Sequence, residues 1–187
     1  MRLKGGGPGT EQGTDLSYQP KPKIYAPDAI HLIRTTQQIQ VQLSAMADQK
    51  ASILMGAALV VFTITLNQAA QRTVAPEMLV LAAFALASAV LAVLAVLPAT
   101  KPQPGAPLNL LFFGSFTQLE QEDYIDRVVA QLGEEEFVYR TMARDIYQNG
   151  TVLQRKKYKF LGMAYRVFLT GMMLTVVVFI LGRLGAF

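Results

Sequence analysis

The chain has 187 residues, no cysteine, one histidine and a net charge of +4, with 52% hydrophobic and 16% charged residues. The lack of cysteine excludes disulfides, thiol nucleophiles and cysteine metal sites, and His31 alone supplies neither a histidine-built metal centre nor a Ser-His-Asp set. So apolar a composition in so short a chain indicates one membrane domain with a modest polar part.

Residues 1–28, "MRLKGGGPGTEQGTDLSYQPKPKIYAPD", are rich in Gly, Pro and polar residues without sustained period, and are expected to be a disordered tail. Its "GGGPG" precedes no strand and opens no helix, unlike a phosphate-binding loop. Glycines follow the basic start where a secretory signal would place an apolar run. Asp28, after Pro27, is placed to cap a helix over 29–50.

Along that helix a seam recurs at steps of four and three: Leu32, Thr36, Ile39, Leu43, Met46, Lys50 and Ile53. The seam enters the next apolar run in phase, so the sequence predicts one uninterrupted helix of about forty residues. Gln37, Gln38, Gln40, Gln42 and Gln49 cover the other faces, and the polar part is expected to pack against another helix.

From Ala51 to Ala70 no charged residue occurs, and twenty helical positions cover the roughly 30 Å hydrocarbon core. Residues 51–70 are thus the first predicted span. Asp48 and Lys50 mark its water edge, either as a helix anchor or as a charged latch between helices or subunits. The second span, 77–97, is uncharged from Met78 onward and carries one hydroxyl, Ser88.

"PATKPQPGAP" is then a connector, and "LNLLFFGSF" an apolar patch suited to the membrane interface or to capping the bundle. Thr117 is placed to cap a short helix, 117–132, with Ile125, Val128, Val129 and Leu132 on one face and Gly133 at its end. Glu134, Glu135 and Glu136 open the next helix, 134–159, where its dipole favours negative charge. Its seam is Tyr139, Met142, Ile146, Asn149, Leu153, Lys156, Phe160 and Met163, and Asn149-Gly150 reads as a tolerated glycine or a kink rather than a break. This polar part extends about 39 Å, against about 30 Å from Ile30 to Lys50.

The third span, 160–184, holds Arg166 and Arg183 near its ends, where long side chains snorkel to head groups. Gly56, Ala85, Ala89 and Gly171 allow close helix approach and self-association. The predicted fold is therefore an all-α membrane protein with three transmembrane helices, two of them continuing into long cytosolic helices that pack as a stalk with one short extra helix. Residues 29–187 form a single domain behind the tail.

Arg2, Lys4, Lys21, Lys23, Arg34 and Lys50 precede the first span. Lys101, Arg127, Arg140, Arg144, Arg155, Lys156, Lys157 and Lys159 lie between the second and third, while Arg72 alone joins the first two. The positive-inside rule puts the N-terminus and the long middle segment in the cytosol and the C-terminus outside. The same basic edge suits membrane lipid. Within "RDIYQNGTVLQRKKYKF", Arg144, Arg155, Lys156 and Lys157 are candidate phosphate ligands, and Tyr147 or Tyr158 offers an aromatic face for a base.

"MADQKASILMG", "LNLLFFGSFTQLEQEDY" and "RDIYQNGTVLQRKKYKFLGMAYRVFLTG", in this order around the spans, resemble the Pycsar effector transmembrane (PycTM) family of bacterial anti-phage defence, from about His31 to Leu184. The positions carried over are Asp48, Lys50 and Ala51; Phe112, Phe113 and Gly114; and Asp145, Ile146, Tyr147, Gly150, Lys157, Tyr158, Ala164 and Tyr165. The resemblance implies a non-enzymatic effector of the bacterial inner membrane. A cyclic pyrimidine mononucleotide, cyclic UMP or cyclic CMP, made by a partner nucleotide cyclase, activates it to impair that membrane. The sensor is then the helical stalk itself or another protein. A homo-oligomer is expected, with no metal, no other cofactor and no nucleic-acid partner. The alternative is a non-gated membrane scaffold or anchor for a soluble partner; a transporter is disfavoured because the spans bury no acidic residue.

Overall fold

The computed structural model describes residues 24–71, 75–100 and 105–184. Residues 1–23 of the expected tail lie outside the described residues, as do Arg72, Lys101 and residues 185–187. Among the described residues all regular structure is helical: α1 (Ala29–Gln71), α2 (Pro76–Val96), α3 (Phe113–Phe116), α4 (Gln121–Leu132), α5 (Glu135–Val152), a π-helical turn (Leu153–Tyr158) and α6 (Lys159–Arg183).

α1 passes Lys50 without a break, as the continuous seam predicted. α1, α2 and the run from α5 through the π turn into α6 are each long and apolar enough to cross a membrane. Their apolar stretches leave Leu59, Val60, Ile64, Leu86, Val90, Met173 and Val176 exposed, the pattern expected of helices solvated by lipid.

α2 is the central helix, packed against both α1 and α6. Small side chains make this possible. Ala85, Ser88, Ala89, Ala92 and Ala95 line the buried face of α2 at steps of three and four. Ala95 clusters with Ala47 and Ala51 of α1 and Leu161 of α6, and Ala92 with Leu54 of α1 and Ala164 of α6. The fully buried Ser88 hydroxyl donates to the Ala164 carbonyl oxygen at 2.9 Å, a polar tie between α2 and α6. A Cβ at Gly171 would collide with Phe84, so the small residue there is required by the close α2–α6 approach.

The seam predicted for α1 is not the face that packs. Leu32, Ile39, Leu43, Met46 and Ile53 are exposed, Leu32 to 70%, while Ala47, Ala51, Leu54 and Ala58, one position round the helix, are buried. The reason is size: alanines let α1 approach α2 closely, which the larger side chains of the apolar seam would prevent.

The short helix also differs from expectation. Thr117 does not open the short helix; it is the C-cap of α3, its backbone N–H and its hydroxyl both donating to the Phe113 carbonyl oxygen at 3.1 and 2.6 Å. α4 starts four residues later at Gln121, behind Glu120 in extended conformation. Within the apolar patch Leu110 is buried while Leu111 and Phe113 stay half exposed. A Cβ at Gly114 would run into the Thr100 carbonyl oxygen and the Phe112 ring. At the start of α5, Glu135 accepts from the Tyr139 hydroxyl (2.9 Å) and Glu136 from Arg140 (2.8 Å). Desolvation first, and the Glu135 carboxylate second, hold the Tyr139 phenol above its ordinary value of 10.0. Tyr25 packs on the Tyr139 ring at 4.5 Å and brings the start of the described chain against α5.

Candidate ligand groove

Between the polar half of α1 and α5 lies a groove of about 900 Å³, continuing to the π turn. Two polar clusters line it, and Val41, Val138, Met142 and Ile146 supply its apolar wall.

The first cluster centres on Asp145, which is 8% exposed. Its Oδ2 accepts from Gln37 Nε2 of α1 at 3.1 Å, and its Oδ1 from Asn109 Nδ2 at 3.1 Å and Asn149 Nδ2 at 2.8 Å. Three carboxamides thus replace the water a carboxylate loses on burial. Asn109, fully buried, also accepts from the Leu111 backbone N–H at 2.9 Å. Nearby, Arg144 donates to the Leu108 carbonyl oxygen (3.2 Å) and Gln148 to that of Pro107 (3.0 Å). One face of α5 therefore clamps residues 107–111, and through Asp145 the clamp reaches α1.

The second cluster lies nearer the spans. Lys157 Nζ donates to Asp48 Oδ2 at 2.6 Å and to Ser44 Oγ at 2.7 Å. The π turn is what puts Lys157 there. The inward positions run Met142, Ile146, Asn149, Leu153, Lys157, Leu161, Ala164, with three successive steps of four from Asn149 to Leu161. Steps of four overshoot a 3.6-residue turn, and a turn bonded i→i+5 absorbs the surplus. Of the seam predicted from a constant period beyond Leu153, Phe160 is half-buried against the core, while Lys156 and Met163 lie one residue out of register. Lys156 instead reaches the Pro98 carbonyl oxygen at 3.3 Å, and Met163 is exposed.

The structure disperses the candidate ligand residues. Lys157 lines the groove; Arg144 and Lys156 hold backbone carbonyls outside it; Tyr147 and Arg155 are exposed. Of the membrane-edge pair, Asp48 meets Lys157, and Lys50 is exposed. The Asp48–Lys157 pair therefore joins α1 to the π turn within one chain. Sequence reasoning missed the amide cluster of Gln37, Asn109 and Asn149 around Asp145. Its signals were an acid inside a basic stretch, a polar residue inside the "LNLLFF" patch and a run of glutamines on one helix.

Gly150 faces the Gln40 side chain across the groove, and a Cβ there would sit 3.2 Å from Gln40 Nε2. Among the described residues Gln40 Oε1 and Asp48 Oδ1 are buried without a hydrogen-bond partner, and both residues line the groove. The site offers buried acceptors, carboxamides and one ammonium group, a set suited to hydrogen-bonding a polar ligand.

Fold and site together define an all-helical protein with three helices long and apolar enough to cross a membrane and a groove between the polar half of α1 and α5. The model of the Pycsar effector protein domain (PycTM) matches residues 31–182, and the chain belongs to this family of anti-phage defence effectors. No curated protein and no solved structure matches the chain.

Proposed function

We propose that the protein is the membrane-acting effector of an anti-phage signalling system, activated when a cyclic pyrimidine mononucleotide from a partner cyclase occupies the groove between α1 and α5. One observation carries this reading: both walls of the groove are helices that run on into predicted spans. A ligand held there touches both arms that set how the spans pack. To act, it must favour one packing over another, because equal affinity for both shifts nothing.

The proposed setting is the bacterial inner membrane, with the groove in a cytosolic stalk, the N-terminus cytosolic and the C-terminus outside, as the lysine and arginine distribution supports. Self-association is part of the proposal. The exposed apolar seam of Leu32, Ile39, Leu43, Met46 and Ile53 on α1 favours a helix from a second copy. The role is non-catalytic, and its consequence is loss of membrane integrity.

Dye release from liposomes containing the full chain tests this, titrated with cyclic UMP and cyclic CMP, with cyclic AMP as control. Release selective for a pyrimidine nucleotide is the expected result. No release with any of the three, from protein shown to be folded and inserted, would replace the reading with that of a scaffold.

A further inference from the structure

Gln40 and Asp48 lie two helical turns apart on α1, about 12 Å along the axis, and both present a buried oxygen that receives no hydrogen bond. Bare acceptors are costly when buried, and they call for a ligand that brings donors to these two places. Beside Asp48 stands Lys157, which among the described residues is the one cation lining the groove. Its ammonium group has three N–H bonds, of which Ser44 and Asp48 Oδ2 take two. The pair therefore combines one buried acceptor without a partner and one charged donor with an N–H to spare.

A cyclic ribonucleotide has the matching arrangement, with its 2′-hydroxyl next to the ring that carries the phosphate and its base at the other end. Resting on the proposed function, we propose that Asp48 and Lys157 form a ribose-phosphate clamp and Gln40 a base reader. Asp48 Oδ1 accepts the 2′-hydroxyl, the third N–H of Lys157 meets a phosphate oxygen, and Gln40 Oε1 accepts an N–H of the base. The Lys157–Asp48 contact persists in the bound state, so the ligand adds to the tie between α1 and the π turn. Asp145 plays no part in binding: its amide sheath occupies both of its oxygens. The clamp makes the site select ribose over deoxyribose.

The test is binding of cyclic UMP and 2′-deoxy cyclic UMP to the full chain in lipid nanodiscs by calorimetry. A hydrogen bond from a hydroxyl to a carboxylate predicts that the deoxy compound binds roughly tenfold or more weakly to the wild type. Gln40→Leu is expected to weaken both ligands and leave their ratio unchanged. Because the chain has no cysteine, Ala45→Cys in the groove and Ala143→Cys on the exposed face of α5 report location. Cyclic UMP is expected to slow maleimide labelling at position 45 and not at 143. Equal binding of the two nucleotides overturns the clamp and leaves the proposed function standing, whereas binding without protection at 45 overturns the clamp and the groove as the activating site together. Absence of binding by either nucleotide to folded wild type overturns the activation reading itself, and the clamp with it.

Discussion

Lys157 and Asp48 stand 109 positions apart in the chain, and their side chains meet at 2.6 Å where α1 and the π turn approach the first span. Asp48 is partly open to water, so screening reduces what the pair contributes. A double-mutant cycle of Lys157→Met and Asp48→Asn should give a coupling of about 1 kcal/mol in thermal unfolding in detergent. Additive effects would show that the two groups meet without holding the helices together.

The π turn has the geometry of a one-residue insertion between two regular helices, and that gives a deletion test. Removing the exposed Gln154 shortens the run from Leu153 to Lys157 by one. Lys157, Leu161 and Ala164 then keep their inward positions on an ordinary α-helix. Stability should stay within about 1 kcal/mol of the wild type, while removing the exposed Ala143 from the regular part of α5 should cost at least about 2 kcal/mol by turning the groove face away. If the two deletions destabilise equally, the π turn is not the register device.

The three apolar helices and the unbroken α1 were legible because charge-free length and period speak directly of helix and bilayer. The packed faces were not, because periodicity finds the largest apolar stripe, and in α1 that is Leu32, Ile39, Leu43 and Met46, which point outward. What packs is set by closeness of approach, which the modest Ala47, Ala51 and Ala58 decide. Basic residues also have local partners that charge alone does not give. Arg144 and Lys156 each give one donor to the carbonyl oxygens of Leu108 and Pro98, loop atoms whose positions no local pattern gives.

Asp145 should be the most sensitive polar position outside the spans. Asp145→Leu removes the acceptor for Gln37, Asn109 and Asn149 at once, and two of these tie α5 to other segments. A loss of about 2–3 kcal/mol is expected, with faster proteolysis within residues 105–111. Asp145→Asn keeps one acceptor oxygen and should lose about half as much. Unchanged cleavage in Asp145→Leu would mean that Arg144 and Gln148 hold the segment unaided.

Gly171 tests the close approach inside the spans. Its Cα faces Phe84 so closely that any Cβ overlaps the phenylalanine side chain, and the backbones of α2 and α6 must part to admit one. Parting them also strains the nearby Ser88 bond to Ala164 and the alanine contacts around it. Gly171→Ala should therefore cost about 1–3 kcal/mol by overpacking, despite the better helix propensity of alanine. Phe84→Ala in the same chain empties the space and should restore part of the loss, which thermal unfolding of the single and double variants in one detergent will read. A Gly171→Ala variant that melts with the wild type would show that α2 and α6 sit farther apart than the structure places them.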